Sequence, residues 1–243
     1  MFVNATTLEK LTLQATDGEM GKIKDLYFDE SSYTIRYLTF ESKKWFPDQV
    51  IYLSPSAVEE VDLEKQVITV NHKRDELSEG AGVKEEAEMT PEREEELASR
   101  MNWSQYWVQQ EKRGDETSTR GTAGPKTQQS RQLRSINHLK GIFNRANVVA
   151  EDGIVGPISD AVIEIDSWNV RYFQVDCGTW STHPLALISP DWITDTDWDE
   201  GRFRVDLTLH EIEEGPIYKK GDPITREFEL KLYQNYKKSF YWT

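Results

Sequence analysis

The chain has 243 residues, a length that suits one large domain or two small ones. Its formal net charge of −14 at pH 7 argues against a nucleic-acid-binding protein, because Lys and Arg side chains supply most of the affinity for phosphate backbones. The single cysteine, Cys177, excludes an intrachain disulfide and a metal site built from several cysteines. The sequence shows neither a signal peptide nor a run of ~20 apolar residues, so it predicts a cytoplasmic protein.

The sequence contains an internal repeat. Residues 17–80 align without a gap on residues 152–215, with 16 identities in 64 positions. The shift in numbering is 135 residues throughout, and we call it the repeat offset. The identities cluster at turn glycines, such as Gly21 with Gly156, and at apolar positions that suit a core. A constant offset indicates one supersecondary unit that occurs more than once. We therefore predict an internal duplication.

Each copy shows the pattern of a small all-β domain. Half-buried strands mix apolar, polar, β-branched and aromatic residues, and Asp-Gly pairs such as Asp17-Gly18 and Asp152-Gly153 mark turns. We predict strands at Lys22–Phe28, Thr34–Phe40, Val50–Leu53 and Gln66–Val70, with counterparts at Pro157–Ile165, Asn169–Cys177, Leu185–Ile188 and Arg202–Leu207. Short strands at this spacing indicate a small barrel or sandwich. Gly21 and Gly156 lie where long strands begin, and we expect backbone conformations there that other residues avoid.

A helix is predicted after each copy. Thr90-Pro91 and Asp222-Pro223 each place a capping residue before a proline, which is the preferred start of a helix. In the second helix an apolar residue recurs every four positions: Ile224, Phe228, Leu232, Tyr236 and Phe240. Both segments end in Tyr-Trp, at Tyr106-Trp107 and Tyr241-Trp242. We predict the first copy and its helix in residues 1–107, a flexible linker over 108–134, and the second copy and its helix in 135–243.

Charged and aromatic residues recur at equivalent positions in the two copies. Asp25 with Arg36, and Asp160 with Arg171, suit an ion pair across neighbouring strands. Because the pair occurs twice, we interpret it as structural. The aromatic residues that recur include Trp45 and Trp180, and we interpret these tryptophans as core anchors between strands.

The residues that most often carry chemistry do not form a recognisable site. The acidic run Asp195, Asp197 and Asp199 resembles the start of a calcium loop, which also needs glycine sixth and glutamate twelfth. This chain has Glu200 and Asp206 at those positions. The sequence contains four histidines that are far apart: His72, His138, His183 and His210. We therefore predict no catalytic, cofactor-binding or metal-binding residue, no cofactor, and no enzymatic activity.

The two copies resemble the PRC-barrel family, a small β-barrel found in the photosynthetic reaction-centre H subunit and in ribosome-maturation proteins. The resemblance rests on Asp17-Gly18-x-x-Gly21-Lys22-Ile23-x-Asp25, Ile35-Arg36-Tyr37-Leu38 and Tyr52-Leu53-Ser54-Pro55, and on their counterparts at the repeat offset. It implies a mainly β protein with two tandem PRC-type barrels, each followed by a C-terminal helix, in a pseudo-two-fold repeat. It also implies an adaptor that binds larger assemblies without chemistry of its own.

Two classes of function remain open at the level of the sequence. The first is a soluble interaction or adaptor module with protein partners, whose two copies dock on each other. The alternative is a small-ligand or metal-responsive binding protein that uses Asp195, Asp197 and Asp199 or a cleft between the copies. A peripheral subunit of a photosynthetic or electron-transfer complex is a further alternative. A calcium titration followed by thermal melting separates the first two, because a ligand of the native state raises its stability.

Overall fold

The computed structural model describes residues 1–41, 49–84, 89–104, 132–141 and 146–242. The fold is mainly β, and the chain divides into two compact units. The first unit is built from Thr7–Ser135, and the second unit combines Met1–Thr6 with Ile136–Thr243. Among the described residues, no helix is long and apolar enough to cross a membrane.

The first unit contains one sheet. Its strands are β2 (Thr12–Ala15), β3 (Gly18–Asp29), β4 (Ile35–Glu41), β5 (Gln49–Leu53), β6 (Val58–Asp62), β7 (Val67–Val70), β8 (Gly82–Lys84) and β9 (Leu133–Ser135). They are ordered β6-β7-β2-β3-β4-β5-β8, and β9 pairs with β3 outside that path. Aromatic side chains fill the core because they bury large apolar areas, and Phe28, Tyr37 and Phe40 are fully buried. In the chain, helix α2 (Arg74–Ala81) lies between β7 and β8, and helix α3 (Pro91–Met101) lies between β8 and β9.

The second unit also contains one sheet. Its strands are β1 (Phe2–Asn4), β10 (Asn147–Val149), β11 (Ile154–Glu164), β12 (Asn169–Asp176), β13 (Leu185–Ile188), β14 (Ile193–Asp197) and β15 (Arg202–Val205). They are ordered β13-β12-β11-β10-β15-β14, and β1 pairs with β11 outside that path. Its helices are α4 (Ile136–Lys140), α5 (Leu209–Glu213) and α6 (Arg226–Asn235), while the short helix α1 (Ala5–Leu8) spans the division between the units.

Apart from β8, which has no counterpart in the second unit, the two sheets correspond strand by strand. Both contain a parallel pair, β2 with β7 and β10 with β15, and the remaining neighbours are antiparallel. The long strands β3 and β11 carry register shifts at positions related by the repeat offset, between Ile23 and Asp25 and between Ile158 and Asp160. The strands predicted from the sequence are all present, as β3, β4, β5 and β7 and as β11, β12, β13 and β15. The mainly β fold class is therefore confirmed.

Each unit takes a short strand from the other half of the sequence. We call β1 and β9 the accessory strands. β1 pairs antiparallel with β11, with Val3 opposite Ile163, and β9 pairs antiparallel with β3, with Arg134 opposite Phe28. Phe28 and Ile163 are related by the repeat offset, so the two accessory strands occupy equivalent places on the two sheets.

The accessory strands make the observed units differ from the boundaries expected from the sequence. Residues 133 and 134 fall in the predicted linker but lie in β9, where Arg134 forms an ion pair with Glu30 at 2.8 Å. Residues 1–6 were assigned to the first copy but belong to the second unit. A three-residue strand has no sequence signal that selects one of two equivalent long strands. The rest of the predicted linker, through residue 131, lies outside the described residues.

The predicted helix starts fare differently in the two units. Helix α3 begins at Pro91, and its cap Thr90 accepts a hydrogen bond from the backbone N–H of Arg93, which confirms the prediction. The prediction at Asp222-Pro223 is wrong, because α6 begins at Arg226 and is capped by Thr225. Asp222 instead closes a turn, and its N–H donates to the carbonyl of Lys219. Ile224 and Phe240 of the predicted stripe lie outside the helix, and Tyr236 is its C-cap.

Gly21 and Gly156 adopt the backbone conformations expected of them. Their φ angles are 137° and 152°, in the region that L-residues with a Cβ rarely adopt. A Cβ at Gly156 would also lie 1.8 Å from the carbonyl oxygen of Asp176. The prediction for these glycines is confirmed.

Gly156→Ala is expected to lower the free energy of unfolding of the second unit by about 3 kcal/mol, because it combines backbone strain with a steric clash. Gly178→Ala is the control: its φ is 61°, but no atom lies within 4 Å of the added Cβ. The control is expected to cost about 1 kcal/mol, from the backbone term alone. Urea unfolding of the two variants checks this, and equal losses would contradict it.

Candidate functional site

Buried charged side chains are the first candidates for a functional site. Burying a charge is costly unless the charge is paired and hydrogen-bonded, and such groups are concentrated at functional sites. Among the described residues the buried acidic and basic side chains are Asp25, Asp29, Arg36, Glu94, Asp160 and Glu229. They form two kinds of cluster. One kind joins a helix to its sheet, and the other joins an accessory strand to its sheet.

In the first unit, Arg36 on β4 joins helix α3 to the sheet. Its guanidinium lies 2.9 Å from the Asp29 carboxylate at the end of β3 and 2.7 Å from the Glu94 carboxylate on α3. The three side chains are 5%, 1% and 6% exposed, respectively. One buried cation thus pairs with carboxylates from two elements, and it links α3 to the sheet.

Asp29 has a second set of partners in the turn that follows β3. Burial by itself would raise the pKa of Asp29, but the hydroxyl and N–H of Ser31, the N–H of Ser32 and the Arg36 guanidinium outweigh it, and the pKa lies below its ordinary value. A carboxyl whose native pKa is lowered contributes stability that is present above its unfolded pKa and is lost as the pH falls through the native one.

Acid is therefore expected to remove the contribution of Asp29. Asp29→Asn should destabilise the first unit at pH 7 and have a progressively smaller effect below about pH 4, near the unfolded pKa of aspartate. Urea unfolding of wild type and variant at pH 7 and pH 3 measures the difference. The same difference at both pH values would show that the ionised form is not favoured by the fold.

In the second unit, Glu229 on α6 takes the corresponding place. Its carboxylate accepts hydrogen bonds from the hydroxyl of Tyr172 on β12 at 2.6 Å and from the hydroxyl of Tyr241 at 3.0 Å. Arg226 forms an ion pair with it at 3.0 Å. Burial, with the neighbouring Tyr233 and Glu229, raises the pKa of Tyr172, so that its hydroxyl remains a proton donor. The helix is thus held to its own sheet through a buried carboxylate.

Two arginines stack on the aromatic residues beside Glu229. The guanidinium of Arg171 lies 4.2 Å from the ring centre of Tyr241, and that of Arg226 lies 4.1 Å from the ring centre of Trp242. Arg171 also forms an ion pair with Glu164 at 2.8 Å. Cation–π contacts of this kind contribute about 0.5–2 kcal/mol each. They hold the segment after α6 against the cluster.

The second kind of cluster is built around Asp160 in the second unit. Asp160 is fully buried and lies on β11 at the register shift. The N–H and hydroxyl of Thr6 donate to its carboxylate, and the side-chain amide of Asn4 lies at 3.5 Å. On the neighbouring strand, the amide nitrogen of Gln174 lies 3.2 Å from the hydroxyl of Tyr218. Asp160 therefore holds the segment that contains β1.

The first unit has an equivalent arrangement around Asp25. The hydroxyl of Ser135, the last residue of β9, donates to the Asp25 carboxylate. The N–H of the next residue donates to the aspartate in both units, Leu26 to Asp25 at 2.8 Å and Ala161 to Asp160 at 2.9 Å. In each unit, a buried aspartate at the bulge of the long strand thus binds the accessory strand.

These contacts correct the predicted cross-strand ion pairs. Asp25 lies opposite Thr39 on β4, and Asp160 lies opposite Gln174 on β12, so neither aspartate faces the arginine of its own copy. Arg36 and Arg171 instead pair with Asp29 and Glu164 at the far end of the long strands. The pairing register of each hairpin explains the error, because the residues opposite the two aspartates lie three positions beyond the arginines.

The other residues singled out in the sequence are dispersed. Trp180 is half-buried, and its indole nitrogen donates to the carbonyl of Val155 at 2.7 Å. Trp45, Tyr106 and Trp107 lie outside the described residues. Burial raises the pKa of the Cys177 thiol to about 11.

The acidic run forms the hairpin between β14 and β15. Asp195 pairs with Arg204 at 3.4 Å, and Asp197 accepts the N–H groups of Asp199 and Glu200 in the turn. The histidines lie on separate elements: His72 before α2, His138 on α4, His183 before β13 and His210 on α5. Within the part of the chain that the structure describes, no group of three or more His, Cys, Asp or Glu residues is arranged to hold a metal ion.

A comparison with protein families found a match to the first part of the chain. The PRC-barrel domain family matches residues 2–77. The chain carries a PRC-barrel domain. The PRC-barrel match begins at β1 and ends within α2, so it includes an accessory strand that the fold assigns to the second unit. No curated protein matches the chain.

Proposed function

We propose that this chain is a non-catalytic interaction module built from two PRC-barrel copies, the second of which lies in residues 135–243. The duplication is supported by the alignment of residues 17–80 on residues 152–215 and by the common strand order of the two sheets. The proposal also includes a cytoplasmic location, supported by a composition with a single cysteine.

One observation carries the absence of catalysis in this proposal. The buried acidic and basic side chains of the described residues are engaged in holding a helix or an accessory strand to a sheet, as Arg36 does for α3 and Asp160 does for β1. A catalytic acid, base or nucleophile has to reach a substrate. Side chains with structural partners on several sides suit a rigid scaffold instead, and the net charge of −14 favours protein partners over nucleic acid.

The proposal is tested by photo-crosslinking in the cells that make the protein. A photoreactive residue replaces Ile154 or Ile217, which are 65% and 57% exposed, and the control variant carries Gly156→Ala in addition. We expect defined protein adducts that are lost when the second unit is destabilised. Adducts that are identical in both variants, or none at either position together with substrate turnover by the purified chain, would contradict the proposal.

A further inference from the structure

The second unit binds residues 1–6 at a well-defined slot. Phe2–Asn4 lie antiparallel on Val162–Glu164, at the edge of β11. Val3 is 4% exposed and Ala5 is fully buried, so alternate side chains of the segment enter the apolar interior. The aromatic ring of Phe2 lies 6.2 Å from that of Tyr172. Main-chain pairing combined with buried alternate side chains is the usual way in which a protein binds an extended peptide.

Asp160 makes the slot selective for its occupant. Hydrogen bonds reach this fully buried carboxylate from the backbone and hydroxyl of Thr6 and from the amide of Asn4, and the N–H of Ala161 donates another. If residues 1–6 left the slot, the bonds from Asn4 and Thr6 would be lost and the carboxylate would lose most of its donors. A buried charge without partners is strongly unfavourable, so an occupant with donors at these two positions is favoured over one without.

Residues 1–6 are not contiguous in sequence with the rest of the unit that they complete. The PRC-barrel match runs through residues 2–77, yet residues 1–6 complete the sheet built from the second half of the chain. The equivalent slot on β3, which lies inside the matched region, is filled by Leu133–Ser135 from beyond it. In both units the accessory strand is thus a short segment that comes from the other half of the sequence.

We propose that the slot formed by Asp160 and Val162–Glu164 is a peptide-binding site, and that residues 1–6 of a second copy of this chain can occupy it. Exchange of an identical element between copies requires no new contact, since every bond made within one chain is made again between two. The inference rests on the proposed interaction function and names the partner of one site, an extended segment with donors at its fourth and sixth residues.

Binding at the slot is tested with a chain that lacks residues 1–6 and a fluorescent peptide of residues 1–8. The matched control peptide carries Asn4→Leu and Thr6→Val. We expect saturable binding of the first peptide and about tenfold or greater weakening for the control, from the loss of hydrogen bonds to a buried charge. If the truncated chain is unfolded, the first peptide should restore its circular dichroism and the control should not. Equal behaviour of the two peptides, or no effect of either, overturns the site.

Occupation by a second copy is tested by mixing two variants. The chain that lacks residues 1–6 offers an intact slot, and a full chain with Asp160→Ala offers the segment while its own slot binds it weakly. We expect a heterodimer on gel filtration that neither variant forms alone. Separate elution overturns the role of the second copy. Neither outcome alters the crosslinking result, so failure of this inference is distinguishable from failure of the proposed function.

Discussion

Arg36→Met is expected to lower the free energy of unfolding of the first unit by about 3–5 kcal/mol, the cost typical of breaking a buried ion pair from one side. The substitution keeps much of the side-chain volume and removes the charge. It leaves the carboxylates of Asp29 and Glu94, both nearly inaccessible to water, without the guanidinium that pairs with them. Urea unfolding monitored by circular dichroism measures the loss.

Two further variants separate the charge from the packing. Glu94→Gln in the Arg36→Met background removes one of the two buried negative charges, so it should recover part of the lost stability. Arg171→Met is the matched control at the equivalent position of the second unit. There the ion pair with Glu164 is 20% and 18% exposed, and we expect a loss of about 1–2 kcal/mol. A larger loss for Arg171→Met than for Arg36→Met would show that burial does not set the cost.

Glu229→Ala is expected to lower the free energy of unfolding of the second unit by about 3 kcal/mol. The substitution removes the acceptor of two tyrosine hydroxyls and leaves the hydroxyl of Tyr172, which is fully buried, without that bond. A buried donor that loses its partner costs about 1–3 kcal/mol, and the lost packing adds to it. Thermal melting of the variant measures the effect.

Glu227→Ala is the control on the same helix. Its carboxylate is 77% exposed and pairs with Lys231 one turn further along α6. Exposed pairs of this kind contribute little, so we expect no measurable change in Tm. Equal changes for Glu227→Ala and Glu229→Ala would contradict the role of Glu229 as the buried contact between α6 and the sheet.

The sequence predicted the sheets better than the contacts that hold other elements to them. Alternating patterns and turn glycines located the long strands, and Gly21 and Gly156 have the expected positive φ. The second helix start was predicted at Asp222, whereas the repeat offset applied to Thr90 points to Thr225. The same offset relates Glu94 to Glu229, the two buried carboxylates on these helices. The repeat therefore extends beyond residues 17–80 and 152–215, and its extension predicts both positions.

The accessory strands could not be predicted from the sequence. Phe2–Asn4 and Leu133–Ser135 are too short for a periodic pattern, and their partners Val162–Glu164 and Tyr27–Asp29 are equivalent edges. The choice between the edges is made by tertiary contacts, which include the hydrogen bonds from Thr6 to Asp160 and from Ser135 to Asp25. The pairing register of each hairpin also differs from the expected one, so Arg36 and Arg171 pair with other carboxylates.

Each unit contains a strand from the other half of the chain, and one cleavage experiment tests this exchange directly. A site for a sequence-specific protease is placed within residues 105–131, and the cut chain is run on gel filtration in native buffer. The N-terminal fragment then carries β1 of the second unit, and the C-terminal fragment carries β9 of the first. We predict that the two fragments co-elute at the volume of the intact chain and separate in urea. Two folded fragments that elute separately in native buffer would contradict the exchange of strands.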